Sequence, residues 1–269
     1  MKQSNQTGDR APCEGSSVGR IGLGLAALGR PTYLTAGRSD ALGAPVDRTM
    51  ETMRTRTFEV LDAAWQLGIR FLDLAPSYGH AEDFLGAWLA AHPTRRAQLT
   101  ISSKWGYEYV ARWKLEARVH ERKEHSLAML DKQWPATQSA LGGAPDFYLA
   151  VQTTWNILER SAQGSLAVAA ENGWMVIVKE AMANGRLAPG GTPEADRLAT
   201  TGGITSDALA IGAALAQDWA HIVLSGAVTV AQLTSNTQAR ALHVDPDEFD
   251  HLSIPADRYW AERAEREWS

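Results

Sequence analysis

The sequence contains a single cysteine, Cys13, among 269 residues. One cysteine forms neither an internal disulfide nor a thiolate cluster around a metal ion, and a reducing compartment suits such a chain. Uncharged apolar runs of the ~18–20 residues that a membrane-spanning helix needs are also missing. The net charge of −5 argues against a nucleic-acid-binding surface. We therefore predict a cytoplasmic protein with no membrane or nucleic-acid partner.

The common motifs of hydrolases, metalloproteases and nucleotide triphosphatases are missing as well. There is no G-x-S-x-G, no H-E-x-x-H and no P-loop, so we predict no metal site. The stretch GLGLAA (22–27) does satisfy the dinucleotide fingerprint G-x-G-x-x-G/A. That fingerprint has to open a helix, whereas the residues GRP (29–31) follow here at once. A Rossmann fold is therefore not indicated.

Residues 1–18 are polar and lack the apolar core of a signal peptide. We predict that they form a disordered leader and that residues 19–269 form one domain. In that domain, strand-like apolar segments alternate with segments of helical periodicity, which indicates a parallel α/β architecture. Six segments read convincingly as strands and a seventh is doubtful, whereas a closed (β/α) barrel has eight. The strand-like segments are 21–28, 69–75, 99–105, 145–156, 174–185 and 221–228, and the helical ones are 52–68, 80–91, 117–141, 159–172, 205–219 and 229–242.

Three side chains suited to protonating a carbonyl oxygen follow strand-like segments. Asp73 and Tyr78 lie in FLDLAPSYGHAE (71–82), and Lys104 lies in ISSKWG (101–106). Hydride reduction of a carbonyl needs an acid beside the oxygen, where negative charge develops. A tyrosine with a pKa of about 10 is a reluctant donor, so a neighbouring ammonium would help by lowering that pKa, and a carboxylate would hold the ammonium in place. The alternative is a structural ion pair between Asp73 and Lys104, with Tyr78 at the edge of the core.

Together these motifs resemble the aldo-keto reductase family, over about residues 19–268. GLGLAALG (22–29) is similar to the family's first strand and loop. The resemblance implies a TIM-type (β/α) barrel, here incomplete with about six of its eight strands. It also implies an NAD(P)H-dependent oxidoreductase that reduces an aldehyde or ketone, a small-molecule carbonyl substrate, with Asp73, Tyr78 and Lys104 as catalytic residues and Tyr78 as proton donor.

Further segments resemble the family's cofactor site: WNILERSA (155–162), VIVKEAMANGRL (176–187) and VLSGAVTVAQLTSN (223–236). By resemblance, Trp155 stacks on the nicotinamide, the loop after 179 covers the pyrophosphate, and the last segment surrounds the adenosine phosphate, where free N–H groups would suit an anion. NADP (as NADPH) is the implied cofactor, and NAD is not excluded because Thr229 and Val230 stand where family members often carry Lys or Arg, with Arg240 farther along. The implied cofactor-binding residues are Gln152, Trp155, Ala181, Asn184, Gly185, Ser225, Gly226, Gln232 and Asn236.

The family's fourth catalytic residue, a histidine ending strand four, has no counterpart. The pattern that leads to it begins at Asp146, but Val151 stands where the histidine belongs, and AVQTTWN (150–156) resembles the end of strand six. We predict that the front of strand four is joined to the back of strand six near 149–151, with a loss of roughly 50–65 residues.

Three interpretations follow from this gap. The chain is an active reductase, in which His80 or His120 could replace the missing histidine; it is an impaired descendant that at most binds a nucleotide or a partner; or it is a subunit whose open barrel a second chain completes. In this architecture the loops above the strand ends decide the substrate, and here these are 29–50, 105–116 and 253–269. Four aromatic residues in the second loop either form a wall of the substrate pocket or pack in the core or a lid: Trp105, Tyr107, Tyr109 and Trp113. The sequence does not indicate an oligomeric state.

Overall fold

The computed structural model describes residues 19–34, 41–146 and 150–266. The predicted leader, with Cys13, lies outside the described residues. Eight strands lie within them, in chain order Ile21–Gly24 (β1), Phe71–Asp73 (β2), Thr100–Ser102 (β3), Tyr107–Tyr109 (β4), Glu121–Lys123 (β5), Ala150–Thr154 (β6), Met175–Lys179 (β7) and Ile222–Ser225 (β8). Eight α-helices lie there as well: Met50–Gln66 (α1), Ala81–Ala91 (α2), Leu127–Leu141 (α3), Gln163–Glu171 (α4), Pro193–Thr201 (α5), Ser206–Leu215 (α6), Val230–Thr237 (α7) and Ala256–Ala264 (α8). Short 3-10 turns span Pro45–Asp47, Arg96–Gln98, Ala183–Gly185, Gln238–Ala241 and Pro246–Leu252.

Six of the strands form one parallel sheet in the order β3-β2-β1-β8-β7-β6. The sheet curls into a partial barrel with helices around it, which confirms the predicted incomplete (β/α) barrel. The remaining two strands, β4 and β5, pair as a separate antiparallel hairpin.

Side chains alternate between the two faces of the sheet, as the period of a strand requires. Ile21 and Leu23 of β1 pack with α1 and α2 residues in the main core, together with Leu72, Val176 and Val178. Side chains of intervening positions form a separate buried cluster, which consists of Phe71, Met175, Ile177, Ile222 and Leu224. Both faces are therefore covered, as is usual for parallel sheets.

Strand register places the polar ends of neighbouring strands side by side. Gly24 is paired with Asp73, and Asp73 with Ser102. On the other side of β1, Leu23 is paired with Ser225. Because the strands are parallel, the loops that follow them emerge at the same end of the sheet.

The two edges of the sheet lie close together. Near one edge, the backbone N–H of Asp146 donates to the carbonyl oxygen of Ile101 in β3, at 2.9 Å. Ala150 already belongs to β6 at the other edge. Four residues span at most roughly 14 Å when extended, so the sheet has to curl to bring its edges this near. The predicted junction near 149–151 falls partly outside the described residues, and the predicted loss of a family segment stays a prediction.

The helices differ from the prediction in three places: one begins later than predicted, and two were not predicted. The helix predicted at 117–141 begins only at Leu127, since residues 121–123 pair with 107–109 as a hairpin and Ser126 caps the helix by accepting from the Met129 N–H. Helices α5 and α8 were not predicted at all.

No single described helix has the length and apolar character to cross a membrane; α5 and α6 pass that test only as a pair, bent by 83°, and on length and composition alone.

Helices α2 and α3 touch at Gly86, where a side chain has no room. A Cβ at Gly86 would collide with the carbonyl oxygen of Ala140. We expect Gly86→Ala to lower the free energy of unfolding by about 3 kcal/mol, because the helices have to separate. The matched control is Gly164→Ala in α4, where an added Cβ meets nothing within 4 Å; it should be neutral or stabilising by about 0.5 kcal/mol. Urea unfolding measures both, and equal midpoints would contradict this helix packing.

Candidate active site

A cavity of about 760 Å³ opens where the loops leave the carboxyl ends of the parallel strands. Its lining comes from residues at or after every strand of the main sheet, from the hairpin and from the C-terminal helix. Nine of the twelve residues predicted for the site line it: Asp73, Tyr78, Lys104, Gln152, Ala181, Asn184, Gly185, Ser225 and Gly226.

Asp73 and Lys104 form an ion pair in the lining of this cavity. The Lys104 Nζ lies 2.6 Å from Asp73 Oδ1 and also donates to the carbonyl oxygen of Leu74 at 3.0 Å. Gln152 Nε2 donates to the other oxygen, Asp73 Oδ2, at 3.2 Å. Asp73 is 2% exposed, whereas the Lys104 side chain is 32% exposed. The pairing expected from two neighbouring strand ends is therefore present, and one face of the ammonium remains open to the cavity.

Tyr78 lies beside this pair, with Lys104 Nζ 5.0 Å from the centre of its ring. Burial raises the pKa of the Tyr78 phenol well above 10, and the Asp73 carboxylate raises it further. The charge that lowers this pKa is Arg30. The expectation that Lys104 makes Tyr78 a stronger acid stays a prediction; in this structure the Lys104 ammonium is held by Asp73 beside the ring.

Several cavity residues were not predicted. Arg30 and Tyr33 follow β1, Glu121 lies on β5, and His125 follows β5. Their signal in the sequence is weak, since they sit in irregular segments and belong to no spaced motif. Only the assignment of the loop 29–50 to the segments that decide the substrate pointed toward Arg30 and Tyr33.

Of the four aromatic residues considered as possible cavity walls, only two line the cavity. Trp105 and Tyr107 line the cavity, and His125 packs edge-on against both, with ring centres 5.6 and 5.5 Å away. Gly106, at φ +95°, makes this possible, because a Cβ there would collide with the imidazole. Trp113 and Tyr109 instead lie outside the lining.

Neither of the two histidines considered as replacements reaches the cavity. His80 pairs with Asp83 at 2.8 Å on helix α2. His120 is buried, 3.4 Å from the Thr32 hydroxyl, and burial lowers its pKa. His125 is the histidine that lines the cavity among the described residues.

The loop after β7 has a left-handed backbone at several positions that favour glycine. Glu180, Ala183 and Asn184 have φ values of 56°, 48° and 54°. Asn184 is buried and its Oδ1 has no hydrogen-bond partner among the described residues. Arg263 of α8 binds both Glu180 oxygens, at 2.5 and 3.0 Å. This loop thus offers an unused acceptor at the cavity and is held by the C-terminal helix.

In the segment after β8, three backbone N–H groups bond to side chains of the same segment, while free N–H donors for an anion stay a prediction. The Gln232 N–H donates to Thr229 Oγ1, and the Val228 N–H donates to Gln232 Oε1. The Ala227 N–H donates to Ser225 Oγ. Gln232 therefore acts as a helix cap in the manner of a capping box, and it lies outside the cavity lining.

Two other predicted cofactor residues also lie outside the lining. Asn236 is buried, accepts from Ser225 Oγ at 2.7 Å and donates to Asp207 Oδ2 at 2.7 Å. Trp155 has no exposed surface and packs against Trp219 with ring centres 5.7 Å apart. Stacking of Trp155 on a nicotinamide finds no support in this geometry, because the indole is enclosed by the core.

No group of three or more His, Cys, Asp or Glu side chains within 19–34, 41–146 and 150–266 could hold a metal ion.

Comparison with known proteins agrees with the geometry. Residues 20–139 match the model of the aldo/keto reductase family. A curated relative, an uncharacterized 11.2 kDa protein of Pseudescherichia vulneris, is 34% identical over 65 residues, which are 21% of this chain and 63% of that protein. The match therefore spans about 63% of the length of this curated relative.

Solved aldo-keto reductases share the fold over most of the chain. The glycerol dehydrogenase AKR11B4 of Gluconobacter oxydans matches with a TM-score of 0.63 and 18% identity, over 92% of this chain and 93% of that one. The holo form of AKR11C1 from Bacillus halodurans matches with a TM-score of 0.61 and 17% identity, over 89% and 91%. At these identities the likeness concerns the fold. The resemblance to aldo-keto reductases recognised in the sequence is confirmed.

Proposed function

We propose that this protein is an NADPH-dependent oxidoreductase that reduces an aldehyde or ketone to an alcohol, with Tyr78 as the proton donor. The family match over 20–139 supports an oxidoreductase in general. Carbonyl reduction with Tyr78 as proton donor is proposed from one observation: Asp73 and Lys104 form an ion pair at 2.6 Å in a cavity at the strand ends. The Lys104 ammonium of this pair lies 5.0 Å from the centre of the Tyr78 ring. In barrels of this type that end carries the active site.

The cavity residues suit a dinucleotide. The volume of about 760 Å³ falls in the range of small-molecule sites. Five cationic side chains and three acidic ones are among the described lining residues, which favours an anionic ligand; the cationic ones are Arg30, Lys104, Lys179, Arg263 and Arg266. The unpartnered Oδ1 of Asn184 could accept from a ligand N–H or hydroxyl group. Preference for NADPH over NADH depends on the family resemblance, since Thr229 and Val230 carry no charge.

A dinucleotide held by this cavity would supply the hydride for the carbonyl carbon of the substrate. Tyr78 Oη gives its proton to the carbonyl oxygen, so the carbonyl becomes an alcohol and Tyr78 becomes a phenolate that solvent reprotonates. Lys104, held by Asp73, keeps a positive charge near the oxygen on which negative charge develops.

A second candidate is a protein that binds the nucleotide without turnover. The raised pKa of Tyr78 favours it, since a weaker acid is a poorer proton donor.

Two further predictions stay open to test: a cytoplasmic location, and a second chain that completes the open barrel.

Binding can be tested with a melt in the presence of NADPH and one substitution. A hundredfold excess of NADPH over its Kd should stabilise the chain by about 2.7 kcal/mol. Asn184→Gly should weaken NADPH binding about fivefold, because it removes a carboxamide acceptor worth about 1 kcal/mol. The unliganded melting temperature should hardly change, because glycine tolerates the φ of 54°. An NADPH response that is identical in both proteins would exclude Asn184 from the site, and no response in either would exclude the proposed cofactor.

A further inference from the structure

Arg30 follows β1 and is buried against two tyrosines. Its guanidinium carbon lies 4.8 Å from the centre of the Tyr33 ring and 5.2 Å from the centre of the Tyr78 ring. Only 2% of the residue is exposed. A guanidinium at these distances attracts the electron-rich face of a ring, and the attraction is stronger where water is excluded.

The guanidinium is held in place on several sides. Its Nε donates to the Ala26 carbonyl at 3.0 Å, and its Nη1 donates to the Ser77 carbonyl at 3.3 Å. The same Nη1 forms an ion pair with Glu121 Oε1 at 2.6 Å. Since Ser77 precedes Tyr78, Arg30 ties the loop that carries Tyr78 to the loop after β1 and to the hairpin.

The backbones of these two loops also touch. The His80 N–H donates to the Gly29 carbonyl at 2.9 Å. A Cβ at Gly29 would collide with the carbonyl oxygen of Tyr78, and a Cβ at Gly79 would collide with that of Gly29. The position of Arg30 relative to Tyr78 is therefore set by direct packing of one loop on the other.

We infer that Arg30 is a positioning residue for Tyr78, which fixes the orientation of its ring and keeps a positive charge over it. This inference rests on the proposed function, in which Tyr78 donates the proton. It assigns to Arg30 the help that we first expected from Lys104.

The charges around Tyr78 agree with this role. The Asp73 carboxylate raises the pKa of Tyr78, as do Glu121 and Glu180 to a smaller extent, while Arg30 lowers it. Lys104 faces the same ring, and each of the two cations has a carboxylate partner: Asp73 for Lys104 and Glu121 for Arg30. Tyr33, on the other side of Arg30, is neutral at physiological pH, because burial raises its pKa to about 12. Arg30 thus brings to this phenol a positive charge that opposes three carboxylates.

The test uses 3,5-difluorotyrosine placed at position 78, whose fluorine signals report ring motion and ionisation. Fluorine substituents lower the pKa of a phenol, which moves its titration toward neutral pH. We compare the unsubstituted protein with Arg30→Gln, Arg30→Lys and Arg48→Gln. Arg48 is the matched control, since it is equally buried at 2%, bonds the carbonyls of Pro31 and Gly43, and does not line the cavity.

In Arg30→Gln we expect the titration midpoint to rise by about one pH unit and the two ring fluorines to average into one signal. In Arg30→Lys the midpoint for the phenol at position 78 should shift much less, because the positive charge stays. The two fluorine signals of the ring should nevertheless merge, because the ring is no longer held. Arg48→Gln should match the unsubstituted protein in both respects. A midpoint in Arg30→Gln equal to that in Arg48→Gln would overturn the inference. If Arg30→Gln does not fold, unchanged ring signals in Arg30→Lys would overturn it.

Turnover supplies a second, separate readout. With an accepted carbonyl substrate, Arg30→Gln should lower kcat about tenfold with little change in KM, and Arg30→Lys should recover part of the loss. The fluorine measurements need no turnover. A protein that reduces no carbonyl, yet shows the Arg30-dependent titration, would contradict the proposed function and leave the positioning role intact.

Discussion

Tyr78→Phe should lower kcat/KM for carbonyl reduction by about 10²–10⁴-fold, the range in which a positioned acid contributes. The substitution removes one hydroxyl and keeps the ring that packs on Arg30 and Lys104. Stabilisation by NADPH should therefore stay within about 0.5 kcal/mol of its original value. Steady-state kinetics with an accepted aldehyde, together with a melt in NADPH, measure both quantities.

Tyr109→Phe is the matched control for this loss of a hydroxyl. The Tyr109 Oη accepts from the Trp113 N–H at 3.1 Å and lies outside the cavity lining. It should cost about 1 kcal/mol of stability and leave turnover unchanged. Equal turnover in the original protein and Tyr78→Phe would show that Tyr78 is not the proton donor. Absence of turnover in both, with intact NADPH binding, would favour the nucleotide-binding alternative.

Lys104→Met should cost both activity and stability. It leaves the Asp73 carboxylate, 2% exposed, with the Gln152 amide as its side-chain partner. Removal of one partner from a buried ion pair costs 3–5 kcal/mol, and the partial exposure of Lys104 puts the expected loss at about 3 kcal/mol. Turnover should fall at least about a hundredfold, because the charge beside the reacting oxygen is gone.

The double substitution Asp73→Leu with Lys104→Met separates the two effects. It removes the unpaired carboxylate, so it should be more stable than Lys104→Met alone, while turnover stays lost. Lys132→Met is the surface control: that lysine is 63% exposed in its pair with Glu108, and its loss should change stability by less than about 0.5 kcal/mol. Urea unfolding compares all three. If Lys104→Met were no less stable than Lys132→Met, Asp73 would not depend on Lys104 for its burial.

The meeting of Asp73 and Lys104 could be predicted because parallel strands align their carboxyl ends. β2 and β3 are neighbours in the sheet, and Asp73 is paired in register with Ser102, two residues before Lys104. The same rule explains why Gln152 of β6 and the residues that follow β7 and β8 reach one cavity. The motif around Tyr78 belongs to the loop after β2, so its place was implied as well.

Burial and hydrogen bonding decided which predicted cofactor residues stay at the cavity. Trp155 and Gln232 occur in segments that resemble the family, yet one is enclosed by the core and the other caps α7. A sequence match locates a residue along the chain. It does not determine whether its side chain turns toward the cavity or toward a neighbouring helix.

The sequence by itself determined the alternation of strands and helices and the three polar residues at the strand ends, because periodicity and the succession of elements along the chain are local properties. The number of strand-like segments, with the family resemblance, indicated the incomplete barrel. Only the tertiary structure decided that Arg30 lies over Tyr78, that the hairpin brings Glu121 to Arg30, and that α8 brings Arg263 to the loop after β7. In these three contacts the two residues are separated by 48, 91 and 83 positions in the sequence. They depend on how irregular loops pack against one another, and no local pattern in the chain records that packing.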